Sequence, residues 1–146
     1  MKKLIFHTTW AVTPLILRVT LGIVILAHGV QKLFGWFGGY GFHGTMGYFT
    51  EHVGLPWIIG LLVIVLETAG AIALILGLAT RLIALSLTVL AIGIALSVHV
   101  QNGFFMNWDN TQPGEGYEFF LLWLAISISL AFSGAGMFSV DRKIAK

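Results

Sequence analysis

The chain is 146 residues long, 58% hydrophobic and only 10% charged, with a net charge of +2 and no cysteine. A soluble domain carries about a quarter charged residues because its surface must be hydrated, whereas the mean hydropathy here is +0.93. A soluble globule is therefore excluded, and the lack of cysteine excludes disulfides, a Cys-x-x-Cys thiol pair, cysteine-ligated iron–sulfur clusters and attached c-type haem.

Met1-Lys2-Lys3 opens onto an apolar stretch too long for a signal peptide, with no small-residue cleavage site after it, so it reads as a retained first helix. A bilayer-crossing helix needs roughly 20 mostly apolar residues, and the spacing predicts four at about 14–33, 57–78, 82–100 and 117–132. Pro14 suits a first helical turn, where its missing N–H has no partner to lose. Pro56 does the same ahead of the second span. Backbone at membrane depth must satisfy its own hydrogen bonds, so each run is helical. The expected fold is an all-α, integral membrane four-helix bundle in one domain over 1–146, with the lipid bilayer as solvent. Between the first two spans, Phe42, Met46, Phe49 and Val53 recur at helical spacing, as in a short amphipathic interfacial helix. Between the last two, Asn102-Gly103 and Pro113-Gly114 are turn signals, and Phe104, Phe105 and Trp108 suit headgroup depth.

Flanking charges orient the bundle. Lys2, Lys3, Arg81, Arg142, Lys143 and Lys146 all fall on one side of four crossings; Glu51, Asp109, Glu115 and Glu118 fall on the other, with Lys32 as its one basic residue. This predicts N-in, C-in topology in the bacterial inner (cytoplasmic) membrane. Positive charges beside apolar spans point to lipid, not to a nucleic-acid partner.

Ionisable side chains within a membrane face the bundle interior and take partners. Six need an account: Arg18, His28, Lys32, Glu67, His99 and Glu118. Arg18, Gly22, Ile25, His28, Gly29 and Lys32 share one side of span one, with glycines that admit a close neighbour. Gly60, Glu67, Gly70, Ala71 and Leu74 share a face of span two. Thr88, Ile92, Ala95 and His99 do so on span three, and Glu118, Leu122, Ala125 and Ser129 on span four. Histidine changes charge near neutral pH, so these groups could carry protons to or from a quinone headgroup. In that reading Glu67 and His28 are the catalytic, proton-handling residues. Lys32 and His99 bind carbonyl oxygens, Glu118 orients or pairs with Lys32, and Arg18 is counted with them among the substrate-binding residues. The plainer reading has Arg18 and Lys32 snorkelling to headgroups and Glu67 in a structural salt bridge to one of them. His28 and His99 could alternatively ligate haem axially; no zinc-protease histidine spacing and no strand-borne glycine fingerprint occurs.

The chain resembles the DoxX family of small bacterial membrane proteins. The likeness runs through Arg18-x3-Gly22, His28-Gly29-x2-Lys32, Glu67-x2-Gly70 and Gly77-x3-Arg81. It continues through Gly114-Glu115-Gly116-Tyr117-Glu118 and Gly134-x-Gly136-x2-Ser139-x-Asp141. The resemblance implies a four-helix membrane protein described as an oxidoreductase component. Related DoxD-type proteins belong to a thiosulfate:quinone oxidoreductase. It carries over Arg18, His28, Lys32, Glu67 and Glu118 as family positions. Two functions follow: a quinone-interacting subunit of a redox system that draws electrons from a partner subunit or a small reductant, or a non-catalytic scaffold that recruits redox or stress-response enzymes. Self-association is a further expectation, and a four-span carrier would require it.

Overall fold

The computed structural model describes residues 6–145. Lys2, Lys3 and Lys146, on which the expected orientation partly rests, lie outside the described residues. Among the described residues there are six helices and no strand. They are α1 (Val12–Phe34), α2 (Gly41–Gly47), α3 (Trp57–Leu76), α4 (Thr80–Asn102), α5 (Glu118–Ser133) and α6 (Val140–Ala145). α1, α3 and α4 are each long and apolar enough to cross a bilayer, while α5 is a shorter apolar helix. The four segments expected to be helical coincide with α1, α3, α4 and α5 to within about two residues at each end, the usual scatter of helix boundaries.

The chain is an integral membrane protein built of helices. Ile23, Leu62, Val89, Leu96, Leu122 and Phe132 stand exposed around the outside, a surface that needs hydrocarbon rather than water as its neighbour. Inside, Leu21 and Ile25 of α1, Leu74 of α3, Leu87 and Ala91 of α4, and Phe120, Trp123 and Leu130 of α5 form one buried cluster. α1 packs chiefly on α3, and α4 on α5. The α4–α5 pair is antiparallel. Arg81 near the start of α4 donates to the Ala131 carbonyl near the end of α5, and the His99 ring near the end of α4 lies 4.6 Å from that of Phe120 near the start of α5.

Glycines set the closest approaches and the helix ends. A Cβ on Gly29 would strike the Glu67 carbonyl and lie 2.7 Å from the Thr68 methyl, so α1 meets α3 backbone to backbone beside Glu67. Gly35 ends α1 in the left-handed region at φ 76°, its N–H returning to the Gln31 carbonyl.

The helical faces of α1 and α3 follow their 3.6-residue pattern: Arg18, Gly22, Ile25 and Gly29 are buried, as are Gly60, Glu67, Gly70, Ala71 and Leu74. His28 is the exception on α1 and stands exposed at the bundle's rim. α4 is rotated from the expected face: Ile92 is exposed, and Thr80, Ala84, Leu87, Ala91 and Ala95 point inward. On α5 the expected face is wrong. Leu122, Ala125 and Ser129 are exposed; Phe120, Trp123, Ser127 and Leu130 are buried. The aromatic rings of Phe120 and Trp123 fill the space beside α1 and α4, and the Thr88 hydroxyl donates to Ser127 Oγ at 2.9 Å to hold that rotation.

The amphipathic segment is helical, as its spacing predicts. α2 continues into a wide π turn at Tyr48–His52, and Met46 and Phe49 press on Gly60. Two further π turns occur inside α3 (Leu66–Gly70) and near the end of α4 (Ala95–His99). Each carries an ionisable residue, Glu67 and His99.

Candidate functional site

The ionisable residues separate into two groups at opposite ends of the bundle. At the end that carries the start of α1 and α6, Arg18 is 1% exposed and surrounded by carbonyls. Its Nε donates to Ala135, one terminal nitrogen to Leu74 and Ile75, and the other to Met137 and Phe138. A guanidinium has five N–H donors in a rigid planar fork, and each has a carbonyl here. Asp141 completes the same knot: its carboxylate accepts from the backbone N–H of Ala79 at 2.6 Å and Thr80 at 2.9 Å, capping α4 from another part of the chain. Its own N–H donates to the Gly77 carbonyl. Gly77 has no room for a Cβ between Ser139 and the Arg18 guanidinium. Arg18, expected among the ligand-binding residues, is thus committed to holding three chain segments together, because its donors are all used and it lies at the opposite end of the bundle from Lys32, Glu67 and His99.

At the other end, Lys32 Nζ lies 2.5 Å from Glu67 Oε2. Glu67 is 2% exposed and Lys32 24%, so the carboxylate is deep and the ammonium reaches it from the rim. The pair borders a cavity of about 290 Å³ lined also by His28, His99, Phe120 and Trp123, near the small end of ligand-binding volumes. Three helices supply its ionisable groups: α1 gives His28 and Lys32 one turn apart, α3 gives Glu67, and α4 gives His99. α5 supplies the aromatic wall, where Phe120 and Trp123 stack with centroids 5.9 Å apart and planes 19° from parallel.

His99 Nδ1 lies 2.8 Å from the Glu115 carbonyl oxygen. A carbonyl only accepts, so Nδ1 carries the hydrogen and Nε2 is the basic nitrogen of the neutral ring. The Asn102 amide donates to the same carbonyl at 3.1 Å, fixing the loop that orients the imidazole. Glu118 is not brought to the cavity and does not pair with Lys32. Its Oε1 accepts from the Met106 N–H at 2.8 Å, because the 103–117 loop folds back over the start of α5. Glu115 likewise accepts from the Asn107 N–H. Both carboxylates therefore shape the loop that presents His99.

Sequence reasoning missed Trp123. Its neighbours Phe119 to Leu124 are apolar throughout, so no periodicity marks which of them faces inward. It also left open which cation pairs with Glu67, and the structure pairs it with Lys32.

These features define a small helical membrane protein with a structural arginine knot at one end and a polar, aromatic-walled cavity at the other. The chain belongs to the DoxX family, whose model matches residues 13–100. It is similar to the putative oxidoreductase CatD of Bacillus subtilis (strain 168), 28% identical over 140 residues covering 96% of this chain and 92% of that protein. It is also similar to the inner membrane protein YphA of Escherichia coli (strain K12), 27% identical over 144 residues covering 94% of both chains. No solved structure matches.

Proposed function

We propose that the protein is a quinone-interacting subunit of a membrane redox system in the bacterial inner membrane. The observation that carries this reading is the convergence of an ammonium, a carboxylate and two imidazoles on one aromatic-walled cavity. A quinone that gains two electrons must gain two protons to become quinol. His99 Nε2 and His28 exchange protons with the head oxygens, Glu67 exchanges them from deeper in the bundle, and Lys32 steadies developing negative charge on an oxygen. The cysteine-free chain has no thiol relay, so the electron pair comes from a partner redox subunit or a small reductant. Two features favour a reactive rather than an inert site. Glu67 and His99 both sit in π turns, which recur at functional positions, and a relative carries the description "putative oxidoreductase".

The topology that goes with this reading has four crossings. α5 is about 24 Å long, short of a full span, yet it runs beside α4 over the depth from Arg81 to His99. Four crossings bring both ends to the side of Arg81, Arg142 and Lys143, which is cytoplasmic by the positive-inside rule. The cavity then opens toward the outer leaflet, and α2 lies in the outer interface. The inner-membrane description of a second relative is consistent with this.

The test is a count of quinone per chain, by mass spectrometry, in protein extracted with its surrounding lipid. About one quinone per chain is expected, falling several-fold in Glu67→Gln and His28→Ala variants whose melting temperatures match wild type. No enrichment over the bulk lipid in the wild-type protein would refute the reading and leave the scaffold as the better account.

A further inference from the structure

Trp123 lies deep in the bundle, 4% exposed, and its indole Nε1 has no hydrogen-bond partner among the described residues. An indole N–H is a donor only, and a buried donor without an acceptor is costly because neither water nor lipid replaces the lost bond. Aromatic neighbours do not relieve it: Phe119 and Phe120 present rings, not lone pairs. Trp123 lines the same cavity as Lys32, Glu67 and His99. Trp123 thus brings an unpaired donor to the wall of that cavity.

A second cavity adjoins the first. It holds about 470 Å³ and shares Lys32, Glu67, Ile94 and His99 as a common wall. Beyond that wall it is largely apolar, running between the segment that follows α2 and helices α3 and α4, past Phe49, Val53, Val63 and Leu90. The two spaces differ in chemistry as the two ends of an amphiphile do.

We infer that the site is bipartite and takes an amphiphile. Its carbonyl-bearing planar head stacks in the aromatic cavity and accepts a hydrogen bond from Trp123 Nε1–H. Its aliphatic tail passes the Lys32–Glu67 pair into the cleft beneath the segment that follows α2. This deepens the quinone reading and rests on it for the identity of the head. Trp123 is then the residue that selects a carbonyl acceptor over a donor at that position, and Phe49, Val53, Val63 and Leu90 are the tail contacts.

The experiment uses the whole protein in lipid nanodiscs with ¹⁵N-labelled indole groups and decylubiquinone as probe. The chain has five tryptophans, and Trp10, Trp36, Trp57 and Trp108 are all exposed. Phenylalanine substitutions at those four assign the Trp123 signal even where Trp123→Phe itself proves unstable. On titration the Trp123 indole proton is expected to move downfield, and Trp123→Phe to weaken binding about tenfold, the usual size of one net hydrogen bond. A decylubiquinone analogue with a diazirine at the tail end is expected to label Phe49, Val53, Val63 or Leu90. Saturable binding that leaves the Trp123 signal unmoved, or tail adducts confined to lipid-facing residues such as Leu122 and Phe132, overturns the bipartite site while the quinone reading stands. Absence of any saturable binding overturns both.

Discussion

Replacing Lys32 with methionine removes the cation that neutralises Glu67 and leaves the stem's volume nearly unchanged. Glu67 is 2% exposed, and Lys32 is its one salt-bridge partner among the described residues. Breaking a buried ion pair by deleting one member costs about 3–5 kcal/mol, because the remaining charge is stranded. Lys32 is 24% exposed, so part of its charge is solvated at the rim and the lower end, about 3 kcal/mol, is the expected loss. The reverse change, Glu67→Met, strands an ammonium that can swing back to the interface on its long stem, and about 1 kcal/mol is expected. The double variant Lys32→Met/Glu67→Met strands neither charge and should recover most of the loss, or exceed wild-type stability, as apolar replacements of buried pairs often do. Reversible unfolding of the four proteins in one detergent, followed by far-UV circular dichroism, measures the cycle. Equal losses in the two single variants would refute the argument, since it rests on their unequal depth. So would a double variant as unstable as Lys32→Met.

Two further outcomes follow from the packing. Arg18→Lys replaces five donors with three, leaving at least two of the carbonyls of Ala135, Leu74, Ile75, Met137 and Phe138 without a partner. A loss of about 2–4 kcal/mol is expected, read by the same unfolding assay, with quinone content per folded chain unchanged because the knot is at the opposite end from the cavity. Gly29→Ala places a methyl against the Glu67 backbone and the Thr68 methyl; an overpacking cost of about 1–3 kcal/mol is expected. It should also lower quinone content, since the displaced α3 carries Glu67 away from Lys32. A Gly29→Ala protein with wild-type stability and quinone content would contradict the backbone contact.

The sequence was most readable where one helix face is polar and the other is not. On α1 the i, i+4 run of Arg18, Gly22 and the Gly29 approach identifies the buried side without any partner in view. On α3, Glu67 is conspicuous because a carboxyl there has no route to water. The π turns were not readable: Leu66–Gly70 and Ala95–His99 mix good and poor helix formers as the rest of their helices do, and no spacing marks the widening. The role of Arg18 was also hidden. A guanidinium that bonds the carbonyls of residues 74, 75, 135, 137 and 138 depends on three segments meeting, and no local spacing encodes that meeting. Gly77, Ser139 and Asp141 sit in this knot and not at the cavity.

Composition and periodicity by themselves determined that the chain lives in a bilayer, where its four longest helices lie to within about two residues, and, His28 apart, which faces of α1 and α3 are buried. These are properties of single segments, set by the free energy of moving side chains and backbone from water to hydrocarbon. Tertiary structure alone decided that Glu67 pairs with Lys32 and not Arg18, that Glu118 holds a loop, and that Trp123 turns inward. On α5 every face is apolar enough for lipid, so hydrophobicity cannot choose between them. The choice falls to shape and to the few hydrogen bonds that neighbouring helices offer.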